Sequence, residues 1–183
     1  RRVRTDRGDI EADTVVIACG VWSPRIAAMA GASIPLTPAV HQMIDIGPVA
    51  AFEHITDPVG FPIIRDVDTN MYERQHGNEF EIGSYAHRAI LMDPDDIPSI
   101  AEAALSPTML PFTQEDFDPQ LEDSLELFPD IVGDEKAGVK LAINGLLSLT
   151  PDGNPILGET TEVKGLWSAA AIWIKEAPGI AKT

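Results

Sequence analysis

Cysteine is almost absent from this chain. Cys19 stands alone, so no internal disulfide framework can form and a thiolate zinc site is excluded by number. Basic residues are scarce too: 13 Lys and Arg stand against 29 Asp and Glu, a formal net charge of -16. Binding to nucleic acid or to an anionic membrane face needs clustered Lys and Arg, so neither is expected as a partner. There is no run of eighteen apolar residues, no basic amphipathic leader and no secretory pattern. The sequence shows no internal repeat, no convincing metal-ligand spacing and no Ser, His and Asp arrangement. What is present is ordinary for a globular protein: 183 residues, 44% of them hydrophobic, enough to bury a sizeable core.

The most informative stretch is Thr14-Val15-Val16-Ile17-Ala18-Cys19-Gly20-Val21-Trp22-Ser23. Its β-branched apolar run predicts a strand buried on both faces, and Gly20 at the carboxyl end allows a tight turn or the close approach of a ligand. Upstream, Val3 and Thr5 alternate with charged residues, Arg7-Gly8-Asp9 marks a turn and Ile10-Glu11-Ala12 begins a second run, which together predict a hairpin. Downstream, Ser23 reads as an N-cap with Pro24 at the first helical position, before a short helix over Arg25 to Ala30 that ends at Gly31.

Further on, Ala39 to Ile46 predicts a strand. Phe61 to Asp66, Asn70 to Gln75 and Phe80 to Tyr85 predict an antiparallel meander. A brief helix is expected at Ile100 to Leu105. Over Thr113 to Phe128, the apolar Phe117, Leu121, Leu125 and Phe128 recur at helical spacing and predict one amphipathic helix. Short strands follow at Val139 to Ile143, Leu146 to Thr150, Pro155 to Leu157 and Leu166 to Ile172, with a turn over Thr150 to Asn154.

The order of hairpin, strand, Ala18-Cys19-Gly20, Trp22-Ser23 and short helix resembles the flavin-dependent amine oxidoreductases of the D-amino-acid oxidase type. The same resemblance is carried by Pro38-x-x-His41-Gln42, by Pro62-Ile63-Ile64-Arg65-Asp66 with Met71-Tyr72-x-Arg74-x-x-Gly77, and by Ile82-Gly83-Ser84-Tyr85. Its most specific part is Leu149-Thr150-Pro151-Asp152-Gly153-Asn154-Pro155-Ile156-Leu157-Gly158. The dimethylglycine and sarcosine oxidising members match best. The resemblance implies an α+β fold divided into residues 1–31, the end of an FAD-binding α/β domain; 32–164, an antiparallel substrate domain with flanking helices; and 165–183, a return strand and helix start of the FAD domain.

It also implies oxidation of an N-methylated glycine by hydride transfer to FAD, with oxygen or an electron-transfer flavoprotein as acceptor. The one-carbon unit would leave as formaldehyde or pass to tetrahydrofolate in a downstream domain. The compartment would be the cytoplasm, or the mitochondrial matrix in a eukaryote. Two alternatives stay open: another amino-acid oxidising enzyme of the same flavin family, and a non-catalytic module that has lost FAD. No Gly-x-Gly-x-x-Gly occurs, so the pyrophosphate turn is expected upstream, and this chain alone is expected to bind FAD weakly or not at all. Many members have a Gly-rich run where this chain has Ile172 to Pro178.

From the residues alone, His41 and Tyr72 read as packing or surface side chains. The resemblance implies that His41 faces the flavin and orients the substrate amine, with a pKa tuned by burial, and that the Tyr72 hydroxyl bonds substrate. Arg65 and Arg74 are alternatives for a carboxylate clamp, though an exposed surface role is the expectation for both. His54, His76 and His87 read as solvated. The cofactor side is expected at Cys19, Gly20 and Trp22, and at Trp173, Ile174, Lys175, Glu176, Ala177 and Gly179. There, a helix starting near Pro178 would direct its N–H groups, helped by Lys175, at the flavin's reduced pyrimidine ring. Trp22 and Trp173 are expected to shape the pocket by packing.

Overall fold

The computed structural model describes residues 1–103 and 106–183. Its fold is α+β, and the chain divides into two compact units: residues 1–39, 91–97 and 147–183 form the first, residues 40–90 and 98–146 the second.

In the first unit, β1 (Arg2–Thr5) and β2 (Gly8–Glu11) form the expected hairpin, with Val3 opposite Ile10. A three-stranded sheet joins β3 (Val15–Ile17), β10 (Ile156–Glu159) and β11 (Leu166–Ala170) in the order β10-β11-β3. β3 runs parallel to β11, and β10 antiparallel to it. Ile17, Ala27, Ala32, Ile34, Leu36, Leu166 and Ala170 make the core, with Ala27 supplied by α1 (Ser23–Met29).

Two local expectations are corrected here. β3 is not buried on both faces, because Val16 is 56% exposed while Ile17 is buried. Ser23 is not an N-cap. It is the first helical residue, its hydroxyl is buried without a partner, and Trp22 caps without a side-chain bond.

The second unit is built on a six-stranded sheet in the order β5-β6-β7-β4-β9-β8. These strands are β4 (Thr37–Gly47), β5 (Ile64–Asp66), β6 (Met71–His76), β7 (Glu79–Ser84), β8 (Met109–Leu110) and β9 (Gly138–Leu149). The meander is present as β5, β6 and β7, all antiparallel. Because side chains alternate across a strand, Met71, Phe80, Ile82, Ile44 and Ile46 share one face. There they pack with Phe117 of α2 (Gln114–Leu127) into the second core. α3 (Pro129–Val132) follows directly.

The predicted stripe holds at Phe117 and Leu121 of α2 and at Phe128 just past its end, which pack in the second core, and fails at Leu125. Phe117, Gln120 and Ser124 are inside, whereas Leu125 is 43% exposed. A stripe at i, i+3 and i+7 is still one helical face, but it is rotated onto two polar side chains. The two strands expected at Val139 to Ile143 and Leu146 to Thr150 are one continuous strand. Asn144 does not turn the chain, because its amide donates to Thr113 Oγ1 at 3.1 Å and its oxygen accepts from Gln42 Nε2 at 3.0 Å. At the brief helix expected over Ile100 to Leu105, residues 100–102 form a turn closed by Ser99 and Glu102; Ala104 and Leu105 lie outside the described residues.

Candidate active site

The second unit's sheet has one face packed on α2 and a second that carries His41 and Met43 of β4, Tyr72 and Arg74 of β6, and Gly83 of β7. Register fixes who meets whom: Arg65 lies opposite Tyr72, Tyr72 opposite Gly83, and Gly83 opposite Met43. Gly83 is a glycine inside a strand, which signals the close approach of another group. The cause is on the neighbouring strand, because a Cβ at residue 83 would overlap the Tyr72 ring. Tyr72 therefore lies down across β7 toward β4 instead of standing upright.

That tilt brings the Tyr72 hydroxyl to 2.9 Å from His41 Nε2. Tyr85, just beyond β7, stacks on the imidazole with ring centroids 4.2 Å apart and planes 19° apart. Arg65 places its guanidinium carbon 5.1 Å from the centre of the Tyr85 ring, a cation–π distance. Beneath His41, on the packed face, Gln42 is fully buried and its amide nitrogen donates to the Thr113 carbonyl, Thr113 Oγ1 and Asn144 Oδ1, each at 3.0 Å. This ties β4 to β9 directly under the site.

The electrostatics give the pair defined protonation states. Burial lowers the His41 pKa to about 4, and the positive charges of His87 and Arg65 push the same way; the nearby Ser84 backbone opposes them and loses. His41 is thus a neutral imidazole at physiological pH. Burial, with the negative charge of Glu81, raises the Tyr72 phenol well above its ordinary value. Tyr72 and the neutral His41 therefore share one uncharged hydrogen bond between the phenol oxygen and Nε2.

Among the other sequence candidates, Arg74 is not a free surface residue. Its guanidinium donates to the buried Glu81 carboxylate at 2.6 Å across the β6–β7 pair, and this bond raises the Arg74 pKa. Asp45, opposite Glu81, is buried next to that carboxylate and its pKa is raised by desolvation first and Glu81 second. His54 and His76 are exposed as expected. His87 is half-buried, and its charge reaches His41, so it is not simply solvated. Tyr85, Gly83 and Glu81 complete the site without having been singled out by residue type; the glycine within a strand was the available signal. Among the described residues, no group of three or more His, Cys, Asp or Glu is placed to hold a metal ion.

The first unit holds the remaining candidates. Gly20 has φ +54 and nothing within 4 Å of where a Cβ would stand. In the segment 173–179, Trp173 donates its indole N–H to the Ser148 carbonyl at 3.0 Å, and its backbone N–H to Glu176 Oε2 at 2.9 Å. Lys175 lies 3.4 Å from the same carboxylate and 5.7 Å from the centre of the Trp173 ring. Ile174 is 95% exposed. The helix expected near Pro178 is α4 (Ala177–Ile180), four residues long. One turn aligns few peptide dipoles, and Glu176 places a negative charge at its start, so the cationic helix end argued from sequence is weak.

A family model described as FAD dependent oxidoreductase, DAO, matches residues 1–183. The chain belongs to the DAO family of FAD-dependent oxidoreductases. It is 30% identical, over 98% of its length, to 4-methylaminobutanoate oxidase (formaldehyde-forming) of Paenarthrobacter nicotinovorans, of which it covers 21%. It is 28% identical, over 90% of its length, to mitochondrial sarcosine dehydrogenase of Mus musculus, of which it covers 16%. The chain thus spans about a fifth or less of the length of these curated relatives. Its fold is similar to that of glycine oxidase from Geobacillus kaustophilus, with TM-score 0.61 and 22% identity over 96% of this chain and 40% of that one.

FAD is the cofactor of the DAO family, and the first unit can be tested for its fit. The open space over the Gly20 backbone, the same openness at Gly179, and the bare apolar Ile174 suit the close approach of a flat aromatic group. Lys175 suits it less, because Glu176 already offsets its charge. The cavity lined by Trp173, Lys175 and Glu176 holds about 60 Å³, room for a water or two and not for a tricyclic ring.

Proposed function

We propose that this chain is part of an enzyme that oxidises the C–N bond of an N-methylated glycine, of the dimethylglycine or sarcosine type, by hydride transfer to FAD. The observation that carries this reading is the 2.9 Å hydrogen bond between neutral His41 and the neutral Tyr72 hydroxyl on the open face of the second unit's sheet. When bound, FAD supplies the two-electron acceptor that such an oxidation requires.

The chain's own residues provide orientation. An imidazole with a pKa near 4 has little driving force to take a proton from an ammonium ion, so His41 is not the base that neutralises substrate. With one proton shared between the Tyr72 hydroxyl and His41 Nε2, the uncharged pair presents no acid to the substrate nitrogen and leaves the amine lone pair available for oxidation. The product is an iminium that hydrolyses to the demethylated amine and formaldehyde; the name of the Paenarthrobacter relative supports that fate. On this reading the cofactor side is formed by Cys19, Gly20, Trp22, Trp173, Ile174, Lys175, Glu176, Ala177 and Gly179, and the domain division is 1–31, 32–164 and 165–183. The acceptor is oxygen or an electron-transfer flavoprotein, the one-carbon unit is released or passed to tetrahydrofolate, and the compartment is cytoplasmic or the mitochondrial matrix.

The test is anaerobic addition of dimethylglycine, and separately sarcosine, to the full-length flavoprotein. The expected result is bleaching of the flavin bands, slowed about 10²-fold in His41→Ala and Tyr72→Phe with FAD retained. Bands unchanged by either amine would overturn the substrate class, and unchanged rates in both variants would overturn the site.

A further inference from the structure

Two tyrosines meet His41, and they use different parts of the side chain. Tyr72 meets it through the hydroxyl, 2.9 Å from Nε2. Tyr85 meets it through the ring, stacked on the imidazole with centroids 4.2 Å apart and planes 19° apart. Tyr85 lies two residues past Gly83 and so shares its face of the sheet. Its backbone is pinned on both sides: the Tyr85 N–H donates to the Asn70 carbonyl at 3.1 Å, and the Ala86 N–H donates to the Ser84 hydroxyl oxygen at 3.0 Å. Arg65 of β5 holds the ring in turn, its guanidinium carbon 5.1 Å from the ring centre. The second imidazole nitrogen, Nδ1, is buried without a hydrogen-bond partner among the described residues. A functional histidine is commonly oriented by a bond to its second nitrogen, and here that bond is missing.

We infer that Tyr85 is a positioning residue that acts through His41, its ring holding the imidazole in line with the Tyr72 hydroxyl and covering it from water. The inference rests on the amine-oxidation reading above. The torsion that turns an imidazole about its Cβ–Cγ bond is soft, so with Nδ1 unbonded the ring keeps one orientation only if a flat group lies against it. Tyr85 is that group. Stacking also strips water from one face of the imidazole, and burial favours its uncharged form. The surroundings agree in sign. Arg65 of β5 and His87 beyond β7 oppose a positive charge on His41, and Tyr72 of β6 is neutral. Glu81 of β7 is paired with Arg74 of β6, and Asp45, further along β4, lies opposite Glu81. On the other side of β4, β9 brings Gly145 to the His41 backbone. Without the Tyr85 ring the imidazole gains water and rotational freedom together, so it takes up a proton at higher pH and loses its alignment with Tyr72.

The test is the rate of flavin reduction by saturating dimethylglycine in the full-length holoenzyme, followed against pH for wild type, Tyr85→Ala and Tyr85→Phe. Tyr85→Ala should move the acid limb that reports His41 from near pH 4 up toward 6.5, a loss of about tenfold at about pH 5. Tyr85→Phe restores the ring without the hydroxyl and should return the limb to its wild-type position. A limb unmoved in Tyr85→Ala, or moved as far in Tyr85→Phe, would overturn the assignment. If wild type does not oxidise the amine, the amine-oxidation reading fails, and carbethoxylation of His41 by diethyl pyrocarbonate, mapped by mass spectrometry against pH, still decides the role of Tyr85. That reagent attacks the uncharged imidazole, so its rate follows the His41 titration with no turnover needed. A midpoint raised in Tyr85→Ala and restored in Tyr85→Phe supports the assignment, and equal midpoints in wild type and Tyr85→Ala overturn it.

Discussion

Gly83 and Tyr72 form a matched pair in which the absence of one side chain gives the other its position. Adding a single methyl group at residue 83 would occupy the volume of the phenol ring. Gly83→Ala should therefore push Tyr72 off the His41 nitrogen and lower the rate of amine oxidation as far as Tyr72→Phe does, with the two changes together no worse than either alone. Comparing the three rates of flavin reduction checks this. A second residue-scale expectation concerns acid–base balance. Glu73 is fully buried on the packed face of β6 with both carboxylate oxygens unpartnered, and burial raises its pKa to about 7, helped by the charge of Asp66. Raised above the ordinary 4.5, it favours the fold at low pH, a contribution lost as pH climbs through 7. His41 has the opposite sign, since its lowered pKa costs stability as pH falls from 6.5 toward 4. Between about pH 4.5 and 6.5 the two slopes offset each other, so wild-type stability should be nearly flat there. Glu73→Gln should unmask the histidine and give stability rising by up to about 3 kcal/mol across that window, measured by urea unfolding at several pH values. None of this was legible from residue types. From its residue type His41 reads as a packing or surface side chain and Glu73 is not singled out, because the face a strand residue takes is open until the register is known, and a slip of one residue exchanges the faces.

At the scale of elements, period and punctuation carried most of the reading. The hairpin of β1 and β2, the meander and α2 follow from alternation or helical spacing, and all three are present. The exceptions share one cause, polar groups that the fold claims for its interior. Asn144-Gly145 interrupts an apolar run and looks like a break, yet β9 continues because Gln42 and Thr113 take up the asparagine. Gln120 and Ser124 of α2 are buried while Leu125 is exposed, so the helix is anchored chiefly by Phe117, which has no exposed surface, with Leu121 packed against the same core. Phe117→Ala should cost about 3–5 kcal/mol, whereas Leu125→Ala should cost less than about 1. Chemical denaturation of the two variants separates the observed face from the one that hydrophobicity alone selects. Likewise, Val16 lies exposed on β3, a position that an unbroken β-branched run cannot reveal, because burial depends on what covers the strand.

For the whole molecule, the order of motifs was enough to place the chain in the DAO family, while its division into units was hidden by the way the chain is threaded. One unit is assembled from residues 1–39, 91–97 and 147–183, the other from 40–90 and 98–146. The parallel pairing of Val15–Ile17 with Leu166–Ala170 closes the first unit's sheet across roughly 150 residues of intervening chain, and pairings of that separation form slowly. Synthesis runs from the N-terminus, so the first strand of that sheet must wait on the ribosome for its partner while the whole of the second unit emerges. Residues 40–90 and 98–146 should thus acquire protease resistance before β3 does. Nascent chains arrested once residue 146 has emerged should protect Tyr72 and Phe117 while leaving the Thr14 to Ser23 segment open to cleavage, so a chaperone that engages this chain during translation would find β3, and not the meander, still to be sheltered.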